Sequence, residues 1–574
     1  MGNVLSLIGG FNSVYLIFFR YCFLFLIPGL AIILFYALRQ ENWKVWCVFG
    51  IALTVSLLTF LYFHYTFRVT RDCGAYTNSA LFLSTEESYV LSDGKFHLPG
   101  LAKTRTGGVT PSFLVGYATY LELFFGNFDF AGFAIANSLL IFLTLFFVFL
   151  CTRLLANDAA GLLATLFMAT HFTTLWFPRR TLSENLFIFL IWFGLYLALR
   201  AIRKQRAIDF VWSLIPIAVT TIARVEGYAL LLSFLVINIF LYLKQKGKKR
   251  LPIFLLALLI LVLALGIYIN YRYSSGYFVN QFKNITSLIP RIFSETSGQS
   301  LRGQISAPRF ANTSFVINMF WYYLLIPFVL TIGIGLWKKV YQEKSVFLPL
   351  IYLSPLFVYL YDPRIAQDQP WAMRRFWPTT VPLIFLLASI ALLKLTTYRN
   401  KTTSVMAKLL VFVLLGFNLT NSVPILSYKQ NHEQLLQIDT LVDEFNKDDI
   451  LITSRDYYDS IGRWATFLKF YGGLNVIWPV NVPEEELVSF LRASQDKSIY
   501  YLSKNKDPEE IVTNGINSTR ELSELCERNS WDYNYIDSIS IKEDTFERAG
   551  LQFPAGNKKH EDSAEIYIFE VYLR

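Results

Sequence analysis

Asp72 stands in the stretch RVTRDCGAYTNSA, residues 68–80, directly after an apolar run that ends LLTFLYFHYTF. Further along, charged residues recur where apolar runs end. FPRRTLSEN at 177–185 carries Arg179, Arg180 and Glu184, and ARVEG at 223–227 carries Arg224 and Glu226. YDPRIAQDQPWAMRRFWP at 361–378 adds Asp362, Arg364, Asp368, Arg374 and Arg375. Arginine grips phosphate with a planar fork of donors and does not lose its charge. A carboxylate within reach of a hydroxyl serves as a general base. Together these groups suit transfer from a lipid phosphate, in which an acceptor hydroxyl gives up its proton as the phosphate leaves. Taken singly, each charge reads equally well as an interfacial anchor or a local ion pair. Their recurrence at successive junctions is what points to one cavity.

The elements that must hold these residues are membrane helices. Of 574 residues, 54% are hydrophobic and 16% charged, with a mean hydropathy of +0.41, whereas soluble domains carry about 25% charged residues. Apolar runs of about 17–25 residues, the length that crosses a bilayer, recur along the chain. They predict about twelve helices, near 14–38, 45–66, 131–153, 157–176, 184–199, 209–222, 226–243, 251–270, 317–337, 346–361, 377–394 and 405–422. The first run lacks a basic n-region and a small-residue cleavage site, and reads as a retained helix. A net charge of +10 is spent in short loops, RAIRKQR (200–206), KQKGKKR (244–250), WKKVYQEK (337–344) and KLTTYRNK (394–401). Such loops mark the cytoplasmic side, so the charge orients the chain and no nucleic-acid partner is expected. The segment 67–130, the loops 271–316 and 362–376 and the C-terminal tail then face the extracytoplasmic or lumenal side of a cell or ER-type membrane. Within 67–130, PSFLVGYATYLELFFGNFDF (111–130) is predicted to lie along the surface as an amphipathic helix.

The chain thus divides into a membrane part, 1–422, and a polar part, 423–574. In the latter, DILITS, LNVIWP and SIYYLS alternate with the helix-like EQLLQIDTLVDEFNK, GRWATFLKFYGG and EEELVSFLRAS. That alternation predicts a small α/β domain of βαβ type, closed by AEIYIFEVYL as a final antiparallel strand. No glycine-rich phosphate loop opens its helices, so nucleotide binding is not expected.

Smaller signals fill in the picture. Lys103 and Arg105 are near Asp72 in sequence and read equally well as phosphate contacts or as a flexible loop; Tyr76 reads as packing with its hydroxyl free for a sugar, and Glu86 and Glu87 as a solvated face or a second site acid. Cys22, Cys47 and Cys151 read as core packing, and Cys73 with Cys526 offers one candidate disulfide. Five histidines show no ligand spacing. No cofactor is expected, and a divalent cation is left open. On the predicted outer side, sequons stand at Asn284, Asn312 and Asn517.

RDCGAY followed by TPSFLVGYATYLELFFGNFDFAGFAIANSLLIFLTLFFVFLCTRLL resembles the first external loop and next helix of the GT-C glycosyltransferases, which use polyprenyl-phosphate sugars. Within that superfamily the chain is most similar to the protein O-mannosyltransferase and lipid A aminoarabinose transferase branch. RRTLSENLFIF and MRRFWPTTVPLIFLLASIALL resemble two later segments of that branch, and the likeness runs over roughly residues 60–395. It implies an inverting glycosyltransferase moving a sugar from a polyprenyl-phosphate carrier to a protein hydroxyl or an extracytoplasmic glycan. Asp72 matches the general base, Glu184 and Arg180 match positions near the donor or acceptor pocket, and Arg374 or Arg375 matches the lipid-phosphate holder. Arg224 joins the donor-phosphate set, and Glu226 and Asp362 the substrate set. The chain departs from the family pattern in having Cys73 and Gly74, not a second acid, after Asp72. It also lacks the Trp-Trp-Asp motif of the oligosaccharyltransferase branch. A transporter or flippase of a lipid-linked sugar or anionic lipid is the alternative, and it would place charges near the midplane of inverted halves. A non-catalytic relative would tolerate loss of Asp72.

Overall fold

In the computed structural model the apolar runs become helices whose charged ends meet on one side. It describes residues 42–69, 72–91, 98–103, 108–205, 207–244, 250–273, 275–286, 309–341, 343–361, 363, 365, 368–431, 433–454, 461–480, 482–507, 518–545, 548–549, 553–554 and 560–573. The expected span 14–38, Cys22, His97, Arg105, Asp362, Arg364 and Asn517 lie outside them, as do the side chains of Asn284, Asn312 and Asp368.

Among the described residues, six helices are long and apolar enough to cross a membrane, or eight if each of two bent pairs is one span. Trp43–Leu61, Phe130–Leu155, Ser183–Lys204, Glu226–Lys244 and Lys401–Leu426 are continuous. Two expected single spans are broken instead. Asp158–Thr170 meets Phe172–Arg179 at 63°, and Ser314–Tyr322 meets Leu325–Trp337 at 98°. His171 makes the first break: its extended backbone ends one helix, while its ring accepts from Thr173 N to cap the next and bonds Tyr323 O at 2.9 Å. The stretch expected as one helix over 346–361 runs as alternating 3-10 and α pieces, with Pro349 and Pro355 opening two of them. Proline has no N–H to give an α-helical ladder. Shorter apolar helices, Ile208–Ala223 and Thr380–Thr396, complete the packing.

The segment 67–130 holds two helices where one was expected, Asp72–Glu86 and Val115–Phe128. Between them lies a small hairpin of β1 (Leu101–Lys103) and β2 (Val109–Pro111). The first helix is nearly all buried from Cys73 to Leu83, which its weak polar-apolar pattern did not announce. Gly74 makes its docking feasible: a Cβ there would stand 2.1 Å from Arg68 O. Asn78 clamps the same turn, donating to Phe67 O at 2.5 Å and Gly74 O at 2.8 Å.

The polar part carries a five-stranded sheet. β4 (Ile450–Thr453) lies between β5 (Asn475–Ile477) and β6 (Ile499–Ser503), parallel to both. β9 (His560–Tyr572) pairs antiparallel with β6 and with β7 (Asp532–Thr545), giving the order β5-β4-β6-β9-β7. The terminal strand is antiparallel as expected. β7 was not anticipated, because DYNYIDSISIKEDT alternates polar residues on an exposed edge. The sheet domain docks through the helix Ala465–Phe470. Phe467 packs 4.5 Å from Phe67, Phe470 5.2 Å from Phe82, and Thr466 donates to Pro99 O at 2.5 Å. A second contact comes from the far end of the β7–β9 hairpin, where β8 (Arg548–Ala549) pairs antiparallel with β3 (Asp368–Gln369).

Cys73 and Cys526 are buried in different cores and form no disulfide. Cys47 is exposed on its helix rather than packed.

Candidate active site

Four helix junctions deliver the charged residues to one place. Asp72 opens its helix, Glu184 and Glu226 lie in the first turns of theirs, and Arg374 and Arg375 end the 3-10 turn Trp371–Arg375. The acids stand where positive helix ends favour them. Arg224 sits in the tight link between Ala207–Ala223 and Glu226–Lys244, its N–H donating to Thr220 O at 2.8 Å. The loop 180–182 props the Asp72 helix from below, Thr181 Oγ1 donating to Cys73 O at 2.8 Å.

The side chains form one alternating chain of ion pairs. Asp72 Oδ2 meets Arg374 Nη2 at 2.5 Å, and the same guanidinium turns its Nε to Glu184 Oε1. Glu184 also meets Arg224 Nη1 at 2.5 Å, and Arg224 Nη2 meets Glu226 Oε1 at 2.7 Å. Glu226 then meets Arg375 Nη1 at 3.0 Å. Three carboxylates and three guanidiniums alternate, so the array is neutral and each inner member serves two partners. Exposure follows position. The end members Asp72 and Arg375 are 33% and 23% exposed, whereas Glu184 is 1% and Arg374 7%. The inner four are held as structure; the two ends retain accessible surface.

Aromatic rings line the array. Trp371 lies 4.7 Å from the Arg374 guanidinium and Tyr359 5.2 Å from that of Arg375. Tyr359 also donates to Glu226 Oε1 at 2.5 Å. Arg375 Nε is buried and, among the described residues, has no hydrogen-bond partner. Buried N–H groups are rarely left so, and an anionic oxygen would satisfy this one. Tyr76 stacks on Phe113 at 5.1 Å, and Phe113 meets Tyr277 edge-on at 5.1 Å.

The electrostatics set the protonation states. Burial pushes the Asp72 carboxyl up, but the charge and hydrogen bond of Arg374, with Arg375 and Arg224 beyond, more than offset it. The carboxyl therefore lies below its ordinary range and is ionised at neutral pH. Burial pushes Tyr277 up to about 12 and Tyr76 well above the ordinary phenol, so both keep their protons.

Of the residues singled out by sequence, Asp72, Glu184, Arg224, Glu226, Arg374 and Arg375 come together, with Tyr76 beside them. Arg180 does not join the array. Its guanidinium lies 4.5 Å from the Trp176 ring and donates to Gln430 Oε1 at 2.5 Å, fastening the chain after the last span. Arg179 is buried and caps carbonyls at the end of the 401–426 helix, donating to Ile425 O and Leu426 O. Lys103 stands exposed at the end of β1, unlike the buried and half-buried members of the array. Glu87 is exposed beyond the far end of the Asp72 helix. His64 and His171 are buried against Tyr428 O and Tyr323 O, and among the described residues no three His, Cys, Asp or Glu side chains converge as metal ligands. Sequence reasoning missed Tyr277 and Tyr359. Neither lies in a charged motif, and only the fold brings them to it.

No family model and no curated protein matches the chain. Among solved structures, it is similar to the apo oligosaccharyltransferase of Archaeoglobus fulgidus at 13% identity and a TM-score of 0.49, over 81% of this chain and 70% of that one. It is likewise similar to the archaeal oligosaccharyltransferase AglB from that organism in complex with an inhibitory peptide and a dolichol-phosphate (13%, TM-score 0.48, 81% and 70%). A form tethered to an acceptor peptide containing the NVT sequon gives 12%, a TM-score of 0.47, and 82% and 70%. All three are oligosaccharyltransferases. At such identity the functional reading stays with this chain's own residues.

Proposed function

We propose that this chain is an integral-membrane glycosyltransferase that moves a sugar from a polyprenyl-phosphate carrier to a hydroxyl of a protein or an extracytoplasmic glycan. The observation that carries the reading is the alternating array itself, whose two accessible ends are a carboxylate and a guanidinium. Arg374 takes one oxygen of Asp72, and the other can receive an acceptor hydroxyl. As the acceptor's hydroxyl oxygen bonds to the anomeric carbon, the carbon–phosphate-oxygen bond breaks and the configuration inverts. The phosphate leaves with the electron pair, and the hydroxyl proton passes to Asp72. Arg375, at the other end with an unused Nε, receives the phosphate charge. Arg224 and Arg374 add a fixed positive field while remaining tied to Glu184. Tyr76 and Tyr277 keep neutral hydroxyls that can hydrogen-bond a sugar.

The array lies at one end of the spans, and the described basic residues Arg200, Arg203, Lys338, Lys394 and Lys401 lie at the other. With that end cytoplasmic, the array and the sheet domain face the extracytoplasmic side, where a lipid-linked donor is the available kind. The sheet domain, joined to the Arg374 segment through β3 and β8, borders the site and would select the acceptor.

The test gives radiolabelled polyprenyl-phosphate sugars and a membrane extract to the purified protein in liposomes, beside its Asp72→Asn variant. Transfer by the wild type and loss in a folded variant support the reading. Equal transfer by both removes Asp72 as the base. Labelled lipid crossing the bilayer without transfer replaces the enzyme with a carrier.

A further inference from the structure

A second charged place lies at the opposite end of the same helices, and the transfer reaction makes no use of it. Glu184 and Arg203 stand near the two ends of the helix Ser183–Lys204, separated by about 28 Å at 1.5 Å per residue, close to the thickness of a hydrocarbon core. At the Arg203 end is an open cleft of about 530 Å³ lined by Lys44, Arg153, Asn157, Asp158 and Arg203, among others. Three spans build it. Lys44 comes from the first turn of Trp43–Leu61, and Arg153 and Arg203 from the last turns of Phe130–Leu155 and Ser183–Lys204.

Among the described residues the charges do not cancel. Arg153 Nε pairs with Asp158 Oδ1 at 2.7 Å. Arg203 donates to the Leu154 carbonyl and, among the described residues, neither it nor Lys44 pairs with a carboxylate. Among the described residues lining the cleft, three cations thus face one acid. The Lys44 ammonium lies 5.8 Å from the Trp43 ring, and Trp43 and Trp46 are 65% and 40% exposed on that helix end. Exposed tryptophans at the end of a span sit at headgroup level. The cleft is therefore presented to the lipid interface, not to bulk water alone.

We propose that this cleft holds the phosphate headgroup of an anionic membrane lipid in the leaflet opposite the Asp72 site. Basic recesses between spans recognise such headgroups through the cations their helix ends supply. Lys44 and Arg203 meet the phosphate oxygens, Arg153 is kept in place by Asp158, and the exposed tryptophans flank the glycerol and upper acyl region. The site shares no residue with the alternating array and does not depend on the transferase reading.

The test reconstitutes full-length protein in nanodiscs of phosphatidylcholine with a minor share of phosphatidylglycerol, and measures the anionic lipid retained on extraction by native mass spectrometry. The Lys44→Gln/Arg203→Gln variant is expected to retain about thirtyfold less. A Lys338→Gln/Lys339→Gln variant, which removes two cations from another loop, should retain the wild-type amount. Arg203 also supports a backbone carbonyl, so Lys44→Gln alone is the second variant, with a loss of about fivefold expected. Unchanged retention in Lys44→Gln and the double variant overturns the site. Equal loss in the Lys338/Lys339 variant shows only diffuse attraction and overturns it too. Full displacement of the lipid by millimolar inorganic phosphate would make the ligand a soluble anion.

Discussion

Arg374 reaches Asp72 with Nη2 at 2.5 Å while its Nε engages Glu184, so one guanidinium links a half-exposed carboxylate to a buried one. The accessible acid is thereby held by a residue that is itself anchored. Removing different members of the array should therefore have different consequences.

Arg375 is the accessible cation at the other end. Arg375→Gln should raise the KM for the lipid-linked donor by about 10–100-fold, the worth of a charge-assisted hydrogen bond. Its thermal midpoint should change little, because Arg224 and Tyr359 still hold Glu226. Steady-state kinetics with varied donor, beside a melting curve, separates the two effects.

Glu184 is the buried hub. Glu184→Gln leaves Arg224 and Arg374 facing each other without the carboxylate between them, and should destabilise the protein by about 3–5 kcal/mol. A lower thermal midpoint in detergent, together with reduced transfer at permissive temperature, is the expected result. A stable variant with only a raised KM would instead make Glu184 a direct substrate contact.

The pH dependence follows from the direction of the Asp72 shift. Its folded pKa lies below the ordinary 3.8, so the carboxylate stays ionised as pH falls toward that value. The stability gained from its pairing is complete above 3.8 and is lost as pH falls through the lower folded pKa. The acid limb of kcat/KM should likewise lie below 3.8. In Arg374→Gln the group loses its main stabilising charge, and the limb should move upward. A limb that does not move would separate the titrating group from Asp72.

Gly74 tests how the acid is placed. Gly74→Ala puts a methyl group 2.1 Å from Arg68 O, a backbone atom that cannot swing aside. The cost should be about 1–3 kcal/mol, read as a lower melting temperature. Transfer should fall further than stability does, because the first turn of the Asp72 helix must shift.

Much of this protein is written in local chemistry. Spans are legible because about twenty apolar residues in a row have few other solutions, and the basic loops carry an expectation of direction. The strands Ile450–Thr453, Asn475–Ile477 and Ile499–Ser503 show as short apolar runs between helical patterns. The helix Asp72–Glu86 did not show. Residues buried on nearly every face leave no amphipathic period, and RDCGAYTNSA reads as a loop.

By itself, then, the sequence determined a polytopic chain with charged residues at one set of span ends, because hydropathy and charge are properties of each segment alone. It could not say which arginine meets which acid. Arg180 and Arg374 look alike in their motifs, yet one fastens Gln430 and the other joins Asp72 to Glu184. That choice depends on the 63° break at His171, on Gly74 admitting Arg68, and on where the 3-10 turn at Trp371–Arg375 comes to rest. Such pairings join residues hundreds of positions apart, and only the packing of helices against one another brings them within reach.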